Sequence, residues 1–327
     1  MTKTENICII GGGSWATGLA SLLAHHTDRL HWYIRNPETI RYFHAHGHNP
    51  HYLSAIHFDT ERILFYNDIN EAVKNADILV FAIPAAYLEN TLKSLKLPLK
   101  TKSIISGIKG ILPQQNQTVS NFFHTQYEVP NEQIGIVSGP CHAEEIARER
   151  LSYLTFASES PKWAHIIASW FSQWFIKTKL STDVSGIEYA SVLKNIVALC
   201  AGVCHGLDYG DNFQSVLIAN ATQQIEDVLE QISPGQRNIH DSVYLGDLLV
   251  TSYSQFSRNR KLGVMIGKGY SVDSALLEMN MVAEGYYSTA CLQNMGIHMP
   301  IQETMYNILY THADPAEEIA LLAEGLI

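Results

Sequence analysis

The sequence predicts an α/β N-terminal domain of Rossmann-like, doubly wound type over residues 1–183, followed by an all-α C-terminal domain over residues 184–327. Three observations carry that expectation. The apolar run Ile7–Ile10 leads into Gly11-Gly12-Gly13-Ser14-Trp15-Ala16 and then into an amphipathic stretch, Thr17–His25: strand, glycine turn, helix. Short apolar runs of strand length recur as far as Leu180. From Gly186 onward only helical periodicity remains, and no linker-like or repeated segment marks the change near Ser181.

The bulk properties agree. A chain of 327 residues has room for two cores, and 46% hydrophobic with 17% charged residues is ordinary globular composition. A net charge of −10 argues against general binding to nucleic acid or membrane surfaces, so an anionic ligand needs local basic groups. The five cysteines, Cys8, Cys141, Cys200, Cys204 and Cys291, are odd in number and lack a CxxC pair; reduced thiols and a cytoplasmic location are expected. The first apolar run is too short for a signal peptide or a membrane span, and no stable membrane insertion is expected.

In chain order, the glycine turn is the first site. Gly11 permits the tight turn, Gly13 lets a pyrophosphate approach the backbone, and Ala16 keeps helix–strand packing close. The following helix start offers N–H groups and partial positive charge to phosphate oxygens. The second strand, Leu30–Ile34, ends at Arg35, where an acidic residue would read a ribose 2′-hydroxyl; an arginine suits a 2′-phosphate, so NADP is expected to bind at least as well as NAD. His44, His46, His48, His51 and His57 crowd one segment, read as a loop around Gly47, Asn49 and Pro50; with few carboxylates nearby, no metal is assigned to it.

A short helix is read at Asn70–Asn75 and strands at Asp77–Ile83, Lys102–Ser106, Ile134–Val137, Leu151–Ala157 and Phe175–Leu180. Pro84-Ala-Ala is read as a loop at a strand's carboxyl end. Lys109 sits between Gly107 and Gly110 on a tightly turned loop; Cys141–Glu145 begins a helix, and Trp163–Trp174 forms another. Further on, Asp247 and Thr251 are four apart and share a helix face. Ser257-Arg258-Asn259-Arg260-Lys261 brings cations, a hydroxyl and an amide to a helix start, a combination suited to a phosphate. Val282–Gly285 is read as a turn near a helix end.

The stretch Tyr189–Gly202 organises the rest. It reads as a buried helix with one formal charge, Lys194, which shares its face with Ala190, Ser191, Val197 and Ala198. A buried ammonium must find partners or lose its proton. Lys194 is therefore the candidate acid/base, placed where the two domains meet.

Taken together, Gly11-Gly-Gly-Ser-Trp15, Ile108-Lys-Gly110, Ser138-Gly-Pro140 with Ala143-Glu144, Leu193-Lys-Asn195, Gly246-Asp-Leu248 with Thr251, Ser257-Arg-Asn-Arg260 and Glu284-Gly285 resemble the NAD(P)-dependent glycerol-3-phosphate dehydrogenases over essentially the whole chain. The resemblance implies interconversion of sn-glycerol 3-phosphate and dihydroxyacetone phosphate, which in bacteria supplies the phospholipid backbone, with NADP or NAD as cofactor. It implies Lys194 as proton acceptor and Lys109, Gly139, Cys141, Asp247, Ser257, Arg258 and Asn259 around the substrate. It assigns Gly11, Gly13, Ser14, Trp15, Arg35, Lys109, Ala143, Arg258, Val282 and Glu284 to the cofactor. A homodimer is expected, with a small phosphate substrate and no nucleic-acid partner. Three positions depart from the family: Ala16 replaces a glycine, Cys141 a hydroxyl residue, and Tyr52-Leu-Ser-Ala55 lacks the usual Pro-Gly. Two alternatives stay open: a related dehydrogenase acting on a different hydroxy acid, and a non-catalytic nucleotide-binding sensor.

Overall fold

A computed structural model describes residues 6–279 and 281–327. The chain divides into two compact units, residues 1–108 with 119–184, and residues 109–118 with 185–327. The first unit is built on an eight-stranded sheet: β1 Ile7–Ile10, β2 Leu30–Tyr33, β3 Ile63–Tyr66, β4 Ile78–Phe81, β5 Ser103–Ser106, β6 Ile134–Ser138, β7 Ser152–Ala157 and β8 Ile176–Ser181. Their order is β3-β2-β1-β4-β5-β6-β7-β8, parallel except where β6 meets β7. β1, β2 and β4 are buried throughout, as strands covered on both faces must be. Register runs Ile7↔Ile78 to Ile10↔Phe81 on one side of β1 and Cys8↔His31 to Ile10↔Tyr33 on the other.

The helices of this unit are α1 Ser14–Ala24, α2 Pro37–His46, α3 Ile69–Lys74, α4 Ala85–Leu92, α5 Val119–Tyr127, α6 Ala143–Ile146 and α7 Pro161–Trp170. Strand order reverses between β1 and β4, so the crevice at their carboxyl ends is the switch point where ligands bind in such sheets. Gly11 is required there. Its φ is +137°, and a Cβ on it would lie 2.4 Å from Ala82 O just after β4.

Several elements differ from the sequence expectation. The histidine segment begins inside α2, which carries His44 and His46 and ends at Gly47 with φ +72°. β3 was not expected, and the segment after Pro84 is α4 rather than a loop. α7 stops at Trp170 instead of Trp174, because Gln173 bridges back to Ile176 at the start of β8.

The second unit is helical. α8 Val184–Gly206 starts at the last residue of the first unit. It is followed by α9 Asp211–Ile232, a π-turn at Ser242–Gly246, α10 Asp247–Tyr253, α11 Arg258–Gly267, α12 Val272–Glu278, α13 Glu284–Asn294, α14 Pro300–Tyr310 and α15 Pro315–Glu324. Val282–Gly285 therefore opens a helix instead of closing one. By length and composition α8 is apolar enough to cross a membrane, yet 94% of its most apolar window is buried inside the protein. It is a core helix.

α8 and α11 touch backbone to backbone. A Cβ on Gly202 would lie 2.2 Å from Arg260 O, and one on Gly263 2.0 Å from Leu199 O. Gly263→Ala is therefore expected to cost about 2 kcal/mol or more through overpacking. Gly18→Ala in α1, where the nearest atom would be an ordinary 3.6 Å away, is expected to be neutral or stabilising by up to about 1 kcal/mol. Thermal unfolding of the two variants checks both.

Candidate active site

Lys194 lies on α8 and is only 4% exposed. The neighbours expected on its face, Ala190, Ser191, Val197 and Ala198, are all buried. A small, mostly apolar cavity also borders it, with Ile225, Ile239, Leu245 and Leu248 among its walls. The ammonium finds two polar partners: Nζ stands 2.6 Å from Asp247 Oδ1 and donates to Thr251 Oγ1 at 3.0 Å.

Asp247 owes its position to the π-turn that runs directly into α10, where it is the first residue. Thr251 is one helical turn on, and its hydroxyl donates to Asp247 O at 2.6 Å. The other carboxylate oxygen, Oδ2, is 3.2 Å from Lys109 Nζ. One buried carboxylate thus serves two ammonium groups.

Lys109 opens the segment 109–118 that belongs to this unit. Its carbonyl is held by Asn195, whose Nδ2 donates to Lys109 O at 2.7 Å. Asn195 Oδ1 accepts from Asn259 Nδ2 at 2.9 Å, and Asn259 Oδ1 accepts from Gly285 N at 2.9 Å. This line of amides ties α8, the starts of α11 and α13, and the Lys109 segment together. Gly285 must be glycine here, since a Cβ would lie 2.6 Å from Asn195 O. At the start of α11, Ser257 caps the helix by accepting from Arg260 N, and Arg258 Nη1 donates to Val282 O at 3.4 Å. Arg258, Asn259, Val282 and Glu284 are thereby grouped at the ends of α11 and α13. Sequence reasoning gave no role to Asn195 or Thr251; adjacency to Lys194 and the four-residue spacing from Asp247 were the available signals.

The Lys194 ammonium stands at about 7, below its ordinary value, and burial is the largest cause. Asp247 pulls it back up, and the Lys109 charge pushes it down again. Burial alone would raise the Asp247 carboxyl; Lys109 and Lys194 together outweigh that and hold it below the usual carboxylate range. A lysine near neutrality, fixed by a carboxylate and a hydroxyl, can both take up and release a proton at physiological pH.

In the first unit, Gly11, Gly13, Ser14 and Trp15 form the turn from β1 into α1. Trp15 packs against Gly107 just past β5, where a Cβ would lie 2.6 Å from its indole nitrogen. Gly13 caps α1 without any side-chain cap, and a Cβ on it would meet nothing within 4 Å. An open glycine before the N-terminus of an eleven-residue helix fits the pyrophosphate of a dinucleotide. Arg35 is exposed just past β2. Gly139, at φ +123°, buried Cys141 and Ala143 lie together in the connection from β6 to α6. His46, His48 and His57 pack ring against ring, and the described residues contain no group of three ligating side chains able to hold a metal.

Similarity to known proteins extends along nearly the whole chain. The profile for the NAD-dependent glycerol-3-phosphate dehydrogenase N-terminus matches residues 6–164, and that for the C-terminus matches residues 183–320. The chain is 31% identical over 316 residues to a glycerol-3-phosphate dehydrogenase [NAD(P)+] of Clostridium botulinum, covering 95% of this chain and 94% of that one. It is 33% identical over 324 residues to the enzyme of the same name from Agathobacter rectalis, covering 97% and 95%. Its fold is similar to the crystal structure of glycerol-3-phosphate dehydrogenase from Coxiella burnetii, with a TM-score of 0.89 at 24% identity, over 98% of this chain and 99% of that one. With two matching profiles and relatives of this identity along nearly its whole length, the chain belongs to the NAD(P)-dependent glycerol-3-phosphate dehydrogenase family.

Proposed function

We propose that Lys194 is the group that takes and returns the proton in the NAD(P)-linked interconversion of sn-glycerol 3-phosphate and dihydroxyacetone phosphate. The observation that carries this is a buried amine brought to about 7 and held 2.6 Å from Asp247. NAD or NADP is the cofactor of the family and supplies or accepts the hydride when bound.

In the direction of oxidation, neutral Lys194 accepts the proton of the substrate's secondary hydroxyl. The ammonium that results is stabilised by Asp247 Oδ1 and by the Thr251 hydroxyl, both already in place. In the direction of reduction, the same ammonium donates to the carbonyl oxygen. Lys109 adds a second positive charge beside the shared carboxylate and favours the neutral form of Lys194. Arg258 and Asn259, with the start of α11, bind the phosphate, and that remote binding orients the reacting carbon. Asn259 retains one N–H for this after serving Asn195. The family's product supports the further reading that the chain supplies glycerol phosphate for phospholipid synthesis. Reduction of dihydroxyacetone phosphate with oxidation of NADPH tests the function, and equal activity on the unphosphorylated ketone would favour a different hydroxy substrate.

Lys194→Ala is expected to lower kcat by about 10²–10⁴-fold, the usual contribution of a general acid–base group, while NADPH still binds. Turnover and a fluorescence titration of NADPH measure the two separately. Oxidation of glycerol 3-phosphate needs the neutral amine, so its rate should rise with pH through about 7; reduction needs the ammonium and should fall through the same range. Asp247→Asn should move that transition to lower pH and Lys109→Ala to higher pH, because the carboxylate favours the ammonium and the second lysine opposes it. Arg35→Ala should raise KM for NADPH by about tenfold and leave KM for NADH nearly unchanged, if one charge-assisted pair to the 2′-phosphate is lost.

A further inference from the structure

The carbonyls of the glycine turn are each held by a buried side chain. Trp32 Nε1 donates to Gly11 O at 2.6 Å, Asn49 Nδ2 to Gly12 O at 3.1 Å, and Thr17 Oγ1 to Gly13 O at 2.9 Å, where it reinforces the first backbone bond of α1, Thr17 N to Gly13 O at 3.0 Å. Trp32, Asn49 and Thr17 are all 0% exposed. Asn49 Nδ2 also donates to Thr17 Oγ1 at 2.9 Å, so it reaches Gly12 O directly and Gly13 O through the hydroxyl. Its Oδ1 accepts from the backbone N–H of His51 at 3.0 Å and of Tyr52 at 3.2 Å. Two donations and two acceptances exhaust what an asparagine amide can make.

The consequence follows from peptide geometry. In a trans peptide the C=O and the N–H of one plane point in opposite directions, and no described peptide bond is cis. Drawing the oxygens of Gly11, Gly12 and Gly13 toward Trp32, Asn49 and Thr17 turns the N–H groups of Gly12, Gly13 and Ser14 the other way. Those are the donors an anion meets at the start of α1. Three consecutive glycines are otherwise the most conformationally free tripeptide a chain can contain. Fixing them during folding removes an ordering cost from binding.

We propose that Asn49 is a positioning residue for the dinucleotide: with Trp32 and Thr17 it presets the glycine turn, and it couples that turn to the loop carrying His51 and Tyr52. This rests on the cofactor assignment made above. It also gives the histidine-rich segment a purpose, since Asn49 sits within it.

The test uses the full chain without substrate, titrated with NADPH and followed by the nucleotide's own fluorescence. The unfolding midpoint without nucleotide and the steady-state constants are measured alongside. Asn49→Ala should raise Kd for NADPH about tenfold, the loss of one to two buried hydrogen bonds. Asn49→Asp keeps the acceptor for His51 and Tyr52 but sets an oxygen against Gly12 O, so it should weaken NADPH at least as much. Thr17→Val should weaken it about threefold. KM for dihydroxyacetone phosphate at saturating NADPH should stay within about twofold in all three, because Lys194 and Arg258 are untouched. A folded Asn49→Asp protein that binds NADPH as tightly as the parent would assign Asn49 to the loop alone and overturn the proposal. So would parallel losses in NADPH binding and in KM for the ketone. If Asn49→Ala does not fold, the aspartate and Thr17→Val variants decide. A parent chain that binds neither NADPH nor NADH would instead overturn the cofactor assignment.

Discussion

The second unit is arranged around a single shared carboxylate. Asp247 is buried and lies within 3.2 Å of two ammonium groups, one buried and one half-buried. Neither lysine nor aspartate would be stable there alone, since an unpaired buried charge costs several kcal/mol. The set is unequal: burial disfavours the ammonium of Lys194, the more buried of the two cations, and the second positive charge on Lys109 adds to that against the pull of the one carboxylate. For Lys194 the displacement to about 7 disfavours the ammonium by roughly 5 kcal/mol relative to water. The lowered value of the amine is thus a consequence of burial and charge count rather than of any special property of the helix that bears it.

A small set of contacts in this unit holds those groups at fixed separations. The backbone contact of α8 with α11 at Gly202 and Gly263 sets how near Asn259 comes to Asn195. The amide line from Gly285 through Asn259 and Asn195 ends on the carbonyl of Lys109, so the loop that carries the second cation is located by backbone as well as by charge. The π-turn Ser242–Gly246 runs directly into Asp247 at the start of α10.

Much of this was legible in the residues. β1, β2 and β4 could be read because strands buried on both faces are uninterrupted apolar runs, and the burial of Lys194 because it is the lone charge in the apolar stretch Tyr189–Gly202. β3 escaped because Ile63-Leu-Phe-Tyr66 is a four-residue strand at the sheet edge with only its first residue buried. The start of α13 was misread because its N-cap is Ala283, which offers no side-chain cap to signal a beginning. The bond from Asn195 to Lys109 O could not be foreseen, since a backbone carbonyl leaves no trace in residue type. Nor does composition change where residues 109–118 leave one unit for the other.

That excursion of ten residues has a practical meaning for anyone dissecting the protein. The polypeptide passes between its units three times, after residues 108, 118 and 184. No single cut yields two self-sufficient halves. A fragment starting at Ser185 would carry Lys194, Asp247 and Thr251 yet have lost the second cation and the carbonyl that Asn195 grips. Its amine would titrate higher than in the intact chain, and so the isolated helical piece would be a poor stand-in for the enzyme's chemistry even if it kept its shape.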